Sequence, residues 1–215
     1  EKELRKCAKE IPPGHQLLLK AKRAGFSDKR IAELTGTEEK NIRALRSVKG
    51  ITAGYHFVDT CAGEFESVTP YFYSTYGEID EGDPLGEEAV VILASGPNRI
   101  GQGLEFDTCC TLASLAYRQE GRKTIIINSN PETVSTDFNI SDRLYIEPLT
   151  PEHVIEVMRK EAVKDVVLQL GGQTPLNMAE IIMQEGARVV GTSPESIMKA
   201  EDRGLFSSLI KDLAI

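Results

Sequence analysis

Tryptophan is absent from the 215 residues, histidine occurs three times and aromatic residues make up only 6%. The four cysteines, Cys7, Cys61, Cys109 and Cys110, include no C-x-x-C spacing. The adjacent pair at 109 and 110 cannot close an ordinary disulfide without local distortion. These shortages argue against a zinc ribbon or a disulfide scaffold, fit a reducing cytosol, and leave all four cysteines as small buried apolar side chains. His15 and His56 lie in the amino-terminal part and His153 near a helix start, where a solvated role is expected; no Ser/His/Asp, Cys/His or metal-ligand cluster is in view. No apolar run approaches the roughly 20 residues a membrane helix requires, and no basic-then-apolar leader follows Glu1, so a soluble cytoplasmic protein is expected.

Lys and Arg are missing altogether from 51–88, which holds 9 Asp and Glu. Residues 1–50 carry the opposite bias, 13 Lys and Arg against 7 Asp and Glu, and 89–215 has 12 against 17. The whole chain sums to -8, which argues against nonspecific affinity for nucleic acid. Three charge regimes suggest more than one structural region, within a length that allows one or two domains of about 100–200 residues.

The first region reads as short helices over 16–24, 28–34 and 37–46, with Thr37 as a cap and turns at Gly25 and Gly36. Residues 52–76 mix aromatic and turn residues and read as an irregular packing segment; 77–88 (GEIDEGDPLGEE) reads as a linker. The period then changes. Short β-branched runs at 89–94, 124–127, 166–170 and 188–190 alternate with helical patterns at 104–118, 151–160 and 175–184. Such alternation implies right-handed βαβ crossovers and an α/β fold with a Rossmann-like parallel sheet, preceded by a small, mostly helical domain. Thr150-Pro151, Thr174-Pro175, Ser193-Pro194 and Asn130-Pro131 look like helix starts, a hydroxyl or amide cap followed by proline. Several helix N-termini would then face the sheet edge where open α/β proteins bind ligands.

Three loops fall at that edge. ASGPNRIGQGLEFD (94–107) has the spacing G-x4-G-x-G through Gly96, Gly101 and Gly103, which is neither a dinucleotide fingerprint nor a Walker A loop. Its glycines suit either a small anion approaching backbone N–H groups or simply a tight turn. NSNPETVSTD (128–137) carries Asn130 and Glu132, and GGQTP (171–175) carries Gln173. Glu105 and Glu132 on their own read as first-turn acids that complement a helix dipole. Near the carboxyl end, Leu205, Phe206, Leu209, Ile210 and Leu213 share one helical face that needs a partner, either the sheet or a further domain. A second functional class is also open: 26–46 reads as a helix-turn-helix in which Asn41, Arg43 and Arg46 would face DNA, making a regulator with a Rossmann-like sensor domain.

Five ordered stretches carry a resemblance: VDTCAGEFESVTPYFYSTY (58–76), GPNRIGQGLEFD (96–107), NPETVSTDF (130–138), SDRLYIEP (141–148) and GGQTPLNMA (171–179). Together they resemble the large subunit of bacterial carbamoyl phosphate synthetases. The resemblance implies an interior fragment: 1–76 as the end of a helical oligomerisation domain, 77–88 as linker, 89–202 as the pre-ATP-grasp subdomain of the second synthetase half, and 203–215 as the start of a truncated ATP-grasp domain. It implies an ATP-dependent ligase as the full-length enzyme, with ATP and Mg²⁺ held by the ATP-grasp domain and none held by this chain alone. The implied partners are a glutaminase small subunit, the remaining large-subunit domains and further copies, with no nucleic acid and no membrane. Gly103, Glu105 and Glu132 resemble residues lining a carbamate tunnel; Gly101, Asn130 and Gln173 complete the expected tunnel or anion loops, and no residue of the chain is expected to be catalytic.

Overall fold

In the helical part, Ser27 and Gly36 set the limits of one helix: the Ser27 hydroxyl accepts from the Arg30 amide at 3.1 Å, and Gly36 ends the helix at φ +67. The computed structural model describes residues 1–7, 12–67, 69–100 and 102–214. Two compact units emerge, one made of Glu1–Phe57 with Tyr73–Gly82, the other of Val58–Phe72 with Asp83–Ile215. Residues 58–72 thus group with the sheet rather than with the helices that precede them.

The first unit holds α1 (His15–Arg23), α2 (Asp28–Thr35) and α3 (Glu39–Val48) around Leu18, Ile31 and Ile42. Thr37 does not cap α3. Glu38 occupies that position, and the Thr37 hydroxyl instead accepts from the Asn41 amide group at 3.2 Å. The DNA-facing reading fails here, because Arg43 and Arg46 are 6% and 1% exposed and lie in the interior of the unit. The stretch expected to be irregular contains β1 (Gly54–Phe57) and β2 (Tyr71–Thr75). In β2 only Phe72 is buried, so its alternation is aromatic on both faces and hides the period of two.

The second unit is a parallel sheet in the order β2-β5-β4-β3-β6-β7, where β3 is Val90–Leu93, β4 Thr124–Asn128, β5 Arg143–Ile146, β6 Asp165–Val167 and β7 Arg188–Val189. Its registered pairs, such as Val91 with Ile125 on one side and Val166 on the other, are all parallel. β3 and β4 are buried throughout, as strands covered on both faces must be. The chain leaves β3 toward β4 and leaves β6 toward β7, so the connections diverge between β3 and β6, which makes that gap the topological switch point.

The helices of this unit are α4 (Leu104–Gln119), α5 (Pro151–Glu161), α6 (Gln173–Leu176), α7 (Ala179–Gln184), α8 (Pro194–Glu201) and α9 (Arg203–Asp212). Of the four expected caps, Ser193 holds as written, accepting from the Ser196 amide at 3.2 Å. Thr150 sits at the N-cap of α5, but its hydroxyl pairs with His153 Nδ1 at 2.7 Å. Thr174 lies inside α6, which starts after Gly172, and Asn130-Pro131 opens a loop instead of an α-helix. The expected linker is also less free than its composition suggests. The Leu85 amide donates to Glu161 Oε2 at 2.9 Å, the Gly86 amide to the Glu161 carbonyl at 3.0 Å, and Arg143 to the Asp83 carbonyl at 2.5 Å. Among the cysteines only Cys110 is buried; Cys109 is exposed and the other two are partly so. α9 packs on α8, yet Leu205, Phe206, Leu209 and Leu213 keep 37–58% of their surface exposed.

At the other end of the sheet, Asp165 accepts from Arg188 Nε at 2.5 Å and Arg122 Nη2 at 2.8 Å. The Arg188 guanidinium first, and Arg122 with it, hold this carboxyl below the usual range against the opposing effect of burial. A depressed carboxylate contributes stability above its unfolded pKa and loses it as pH falls through the lower folded value. Arg188→Met is therefore expected to lower the urea midpoint at neutral pH, with the difference shrinking as pH falls below the ordinary Asp range and through the lower folded value. A gap that persisted unchanged in acid would show that packing, not charge, is the role of Arg188.

Candidate functional site

The segment leaving β3 turns at Gly96 (φ +70), where a Cβ would lie 3.2 Å from Ser129 Oγ and 3.4 Å from Leu149 Cδ1. Arg99 and Gln102 then exchange backbone hydrogen bonds at 3.1 and 2.9 Å, forming a tight loop. The Gln102 side chain turns inward, is 7% exposed, and donates from Nε2 to the Ser95 and Gly171 carbonyls, both at 3.0 Å. One buried amide therefore joins the loop after β3 to the loop after β6, across the switch point. Arg99 adds a surface link, donating to Thr174 Oγ1 at 2.8 Å. Gly103 is the N-cap of α4, and its amide donates to Glu105 Oε1 at 3.4 Å. Glu105 and Asp107 both sit in the first turn of this 16-residue helix, Glu105 exposed and Asp107 wholly buried.

The loop after β4 is built on itself. Asn128, fully buried, accepts from the Asn130 amide at 3.0 Å and donates to Thr133 Oγ1 and Ser135 Oγ at 3.4 and 3.3 Å. Asn130 Oδ1 in turn accepts from the Glu132 amide at 3.0 Å, an Asx turn that presents Glu132 to solvent. A 3-10 turn, Val134–Thr136, follows under a reciprocal Thr133–Thr136 cap. The Ser135 amide ties this turn to the first turn of α4, donating to Asp107 Oδ2 at 3.0 Å, and further along the same connection the Ile140 carbonyl accepts from Ser114 Oγ at 2.8 Å and the Asn139 carbonyl from Arg118 Nη1 at 2.5 Å.

The expected site residues thus fall into two groups. Gly103 with Glu105, and Asn130 with Glu132, are internally bonded pairs coupled through Asp107 and Ser135. Gln173 is not part of that network. It begins α6, bonds Asn177 at 3.0 Å, and lines an apolar groove of about 590 Å³ with Leu176, Met183 and Met198. Gly101 lies outside the described residues. His153, expected to be solvated, is bonded to Thr150 and lies 3.8 Å from buried Glu147. Cys110 offers no nucleophile: burial, with Asp107 and Cys109 adding to it, pushes its thiol up to about 12.

The locking residues Gln102, Asp107, Asn128 and Gly171 were not singled out from the sequence. One signal was there: 107, 110, 111 and 114 recur at i, i+3, i+4 and i+7, and they are the buried face of α4 although none is a large hydrophobe.

A parallel sheet with loops gathered at the carboxyl ends of β3, β4 and β6, those after β3 and β6 bearing glycines, defines a Rossmann-like α/β protein whose switch point lies between β3 and β6. Residues 86–199 match the family profile described as the carbamoyl phosphate synthase preATP-grasp domain, and residues 1–50 match that of the carbamoyl-phosphate synthetase large chain oligomerisation domain. The chain belongs to the carbamoyl phosphate synthase large chain family. It is 52% identical over 194 residues to the large chain of Gemmatimonas aurantiaca, covering 90% of this chain and 18% of that one. It is 54% identical over 198 residues to that of Xylella fastidiosa, covering 92% and 18%, and 48% identical over 219 residues to that of Vibrio cholerae, covering 99% and 20%. The chain therefore spans about a fifth of the length of these relatives. Among the described residues no helix is long and apolar enough to cross a membrane, and no group of His, Cys, Asp and Glu is placed to hold a metal ion.

Proposed function

We propose that this chain supplies one wall of the passage through which carbamate reaches the second phosphorylation site of a complete carbamoyl phosphate synthase. In that enzyme bicarbonate, ammonia and two ATP yield carbamoyl phosphate, the second ATP phosphorylating carbamate. The observation that carries the reading is the coupled pair of carboxylate loops: Glu105 beside Gly103 at the start of α4, and the Glu132 loop bonded to the same helix turn. A Cβ at 103 would already lie 3.1 Å from Glu105 Oε2, so a longer side chain there would crowd that carboxylate, and the two exposed carboxylates offer acceptors along a polar path. Anionic carbamate is repelled by carboxylates, so the species in transit would be neutral carbamic acid. The helical unit would make contacts between copies, and a glutaminase would deliver ammonia.

These residues do not fit magnesium–ATP. The loop after β3 is not a Walker A loop, and the carboxylates at this edge are not gathered as a metal would require. No phosphoryl-transfer step is assigned to this chain, and the 215 residues alone are expected to make no carbamoyl phosphate. The test uses the complete large chain supplied with ammonia, bicarbonate and ATP. Gly103→Leu is expected to raise the ATP hydrolysed per carbamoyl phosphate by about threefold or more, because carbamate formed upstream escapes. A ratio equal to that of the unmodified enzyme, at equal expression and thermal midpoint, would remove Gly103 from the passage and the reading with it.

A further inference from the structure

Asp107 is a buried acid that the proposed passage does not itself use. Its side chain lies in the first turn of α4 at 0% exposure. Oδ2 accepts the Ser135 amide at 3.0 Å, while Oδ1 is buried without a protein hydrogen-bond partner. A carboxylate oxygen in that condition costs stability. An aliphatic side chain would fill the same place on the buried face, beside Cys110 and Thr111, without that penalty. What the carboxylate supplies is a directed bond from the first turn of α4 to residues 128–136, a stretch built largely on its own side chains, whereas Ser114 and Arg118 hold the far end of the same connection at Ile140 and Asn139.

Resting on the passage reading above, we infer that Asp107 is a positioning residue: it fixes the Glu132 loop against the helix turn that carries Glu105. The order of bonds gives the mechanism. Asp107 holds the Ser135 amide, Ser135 Oγ accepts from Asn128, Asn128 holds the Asn130 amide, and Asn130 holds the Glu132 amide. Loss of the first bond frees the loop at the end nearest α4 while the self-built Asx turn persists. The two carboxylates then no longer share one frame, and the wall opens at the seam between them.

This role separates from a stability role because the two predict opposite behaviour for one variant. Asp107→Leu removes the acceptor and the unpartnered oxygen together. In the complete large chain it is expected to keep or raise the thermal midpoint, yet to raise ATP hydrolysed per carbamoyl phosphate by about threefold or more. Bicarbonate-dependent ATP hydrolysis and the reverse transfer from carbamoyl phosphate to ADP, which do not need carbamate to cross, are expected to stay within about twofold. Asp107→Asn keeps an acceptor for Ser135 and is expected to restore the ratio. Amide exchange over 130–136 is expected to quicken in the leucine variant and not in the asparagine one.

The inference is overturned if Asp107→Leu leaves the ratio unchanged, or if the ratio simply follows the thermal midpoint across the two variants. Gly103→Leu run alongside tells the two ideas apart. If it raises the ratio and Asp107→Leu does not, the passage stands and Asp107 has no part in it; if neither does, the passage reading itself has failed.

Discussion

Gly171→Ala is expected to destabilise the sheet unit by about 3 kcal/mol or more, a far larger effect than alanine at Gly103. A Cβ at 171 would fall closer to the Leu93 carbonyl oxygen than real contacts allow, 2.6 Å from the Ala94 oxygen and 2.8 Å from the Ala94 carbonyl carbon. Those are backbone atoms of the strand at the centre of the sheet, and they cannot give way. Leu93 is registered with Ile127, and the Ala94 amide donates to the Ile127 carbonyl at 3.1 Å. The loop after β6 must move instead, which takes the Gly171 carbonyl away from Gln102 Nε2 and breaks the tie across the switch point. At Gly103, by contrast, the nearest atom is the free end of the Glu105 side chain at 3.1 Å, and it can swing aside. Urea unfolding followed by far-UV circular dichroism on both variants checks this. Equal midpoints would mean that the loop after β6 has room to relax and is not pinned under β3.

The alternation of strand and helix could be read from the sequence because β3, β4 and β6 are β-branched runs buried on both faces, and that pattern survives any choice of partner. β5 could not, since half of its four residues serve an ionic cluster and not a hydrophobic layer. Arg143 and the Tyr145 hydroxyl both bond buried Glu161, and burial followed by the neighbouring Glu161 charge pushes the tyrosine hydroxyl up. β2 was lost for the complementary reason, its aromatic residues lying on both faces among turn residues.

The site divides the same way. Glycines and carboxylates in strand-end loops announce themselves by type and place. The residues that lock those loops bond to backbone groups distant in sequence: Gln102 to the Gly171 carbonyl and Asp107 to the Ser135 amide. No local pattern encodes such a partner. Hydrophobicity also misleads on α4, where Leu104 and Leu112 are 62% and 60% exposed while Asp107 and Ser114 are buried. Gln173 shows the reverse error, a loop position of the right type whose side chain turns to Asn177.

In the helical unit the largest effect is expected from Asp28→Ala, about 3–5 kcal/mol. Asp28 lies between two buried cations. Both of its oxygens take Arg46 Nε, at 2.8 and 2.9 Å, and Lys22 Nζ lies 3.2 Å from Oδ1, with all three side chains at most 2% exposed. Lys22 also donates to the Phe26 carbonyl at 2.7 Å and Arg46 to the Ile51 carbonyl at 2.9 Å, so each cation holds a turn as well as the carboxylate. The Tyr76 ring faces both, 5.1 Å from Lys22 Nζ and 5.7 Å from Arg46 Cζ, an attraction of only about 0.5–2 kcal/mol that cannot replace a counter-ion. Truncating Asp28 takes a shared carboxylate away from two buried cations. Hydrogen exchange resolves the effect locally: amides of α2 and α3 are expected to exchange at least about a hundredfold faster, by the tenfold per 1.4 kcal/mol relation, with β3 and β4 amides as the internal reference. Replacing all three charges together, Lys22→Met, Asp28→Leu and Arg46→Met, is expected to recover most of that loss, because the penalty lies in the unpaired charges and not in the missing attraction. If the triple variant exchanges as fast as Asp28→Ala alone, the bonds to the Phe26 and Ile51 carbonyls, and not the ion pairs, are what hold the three helices together.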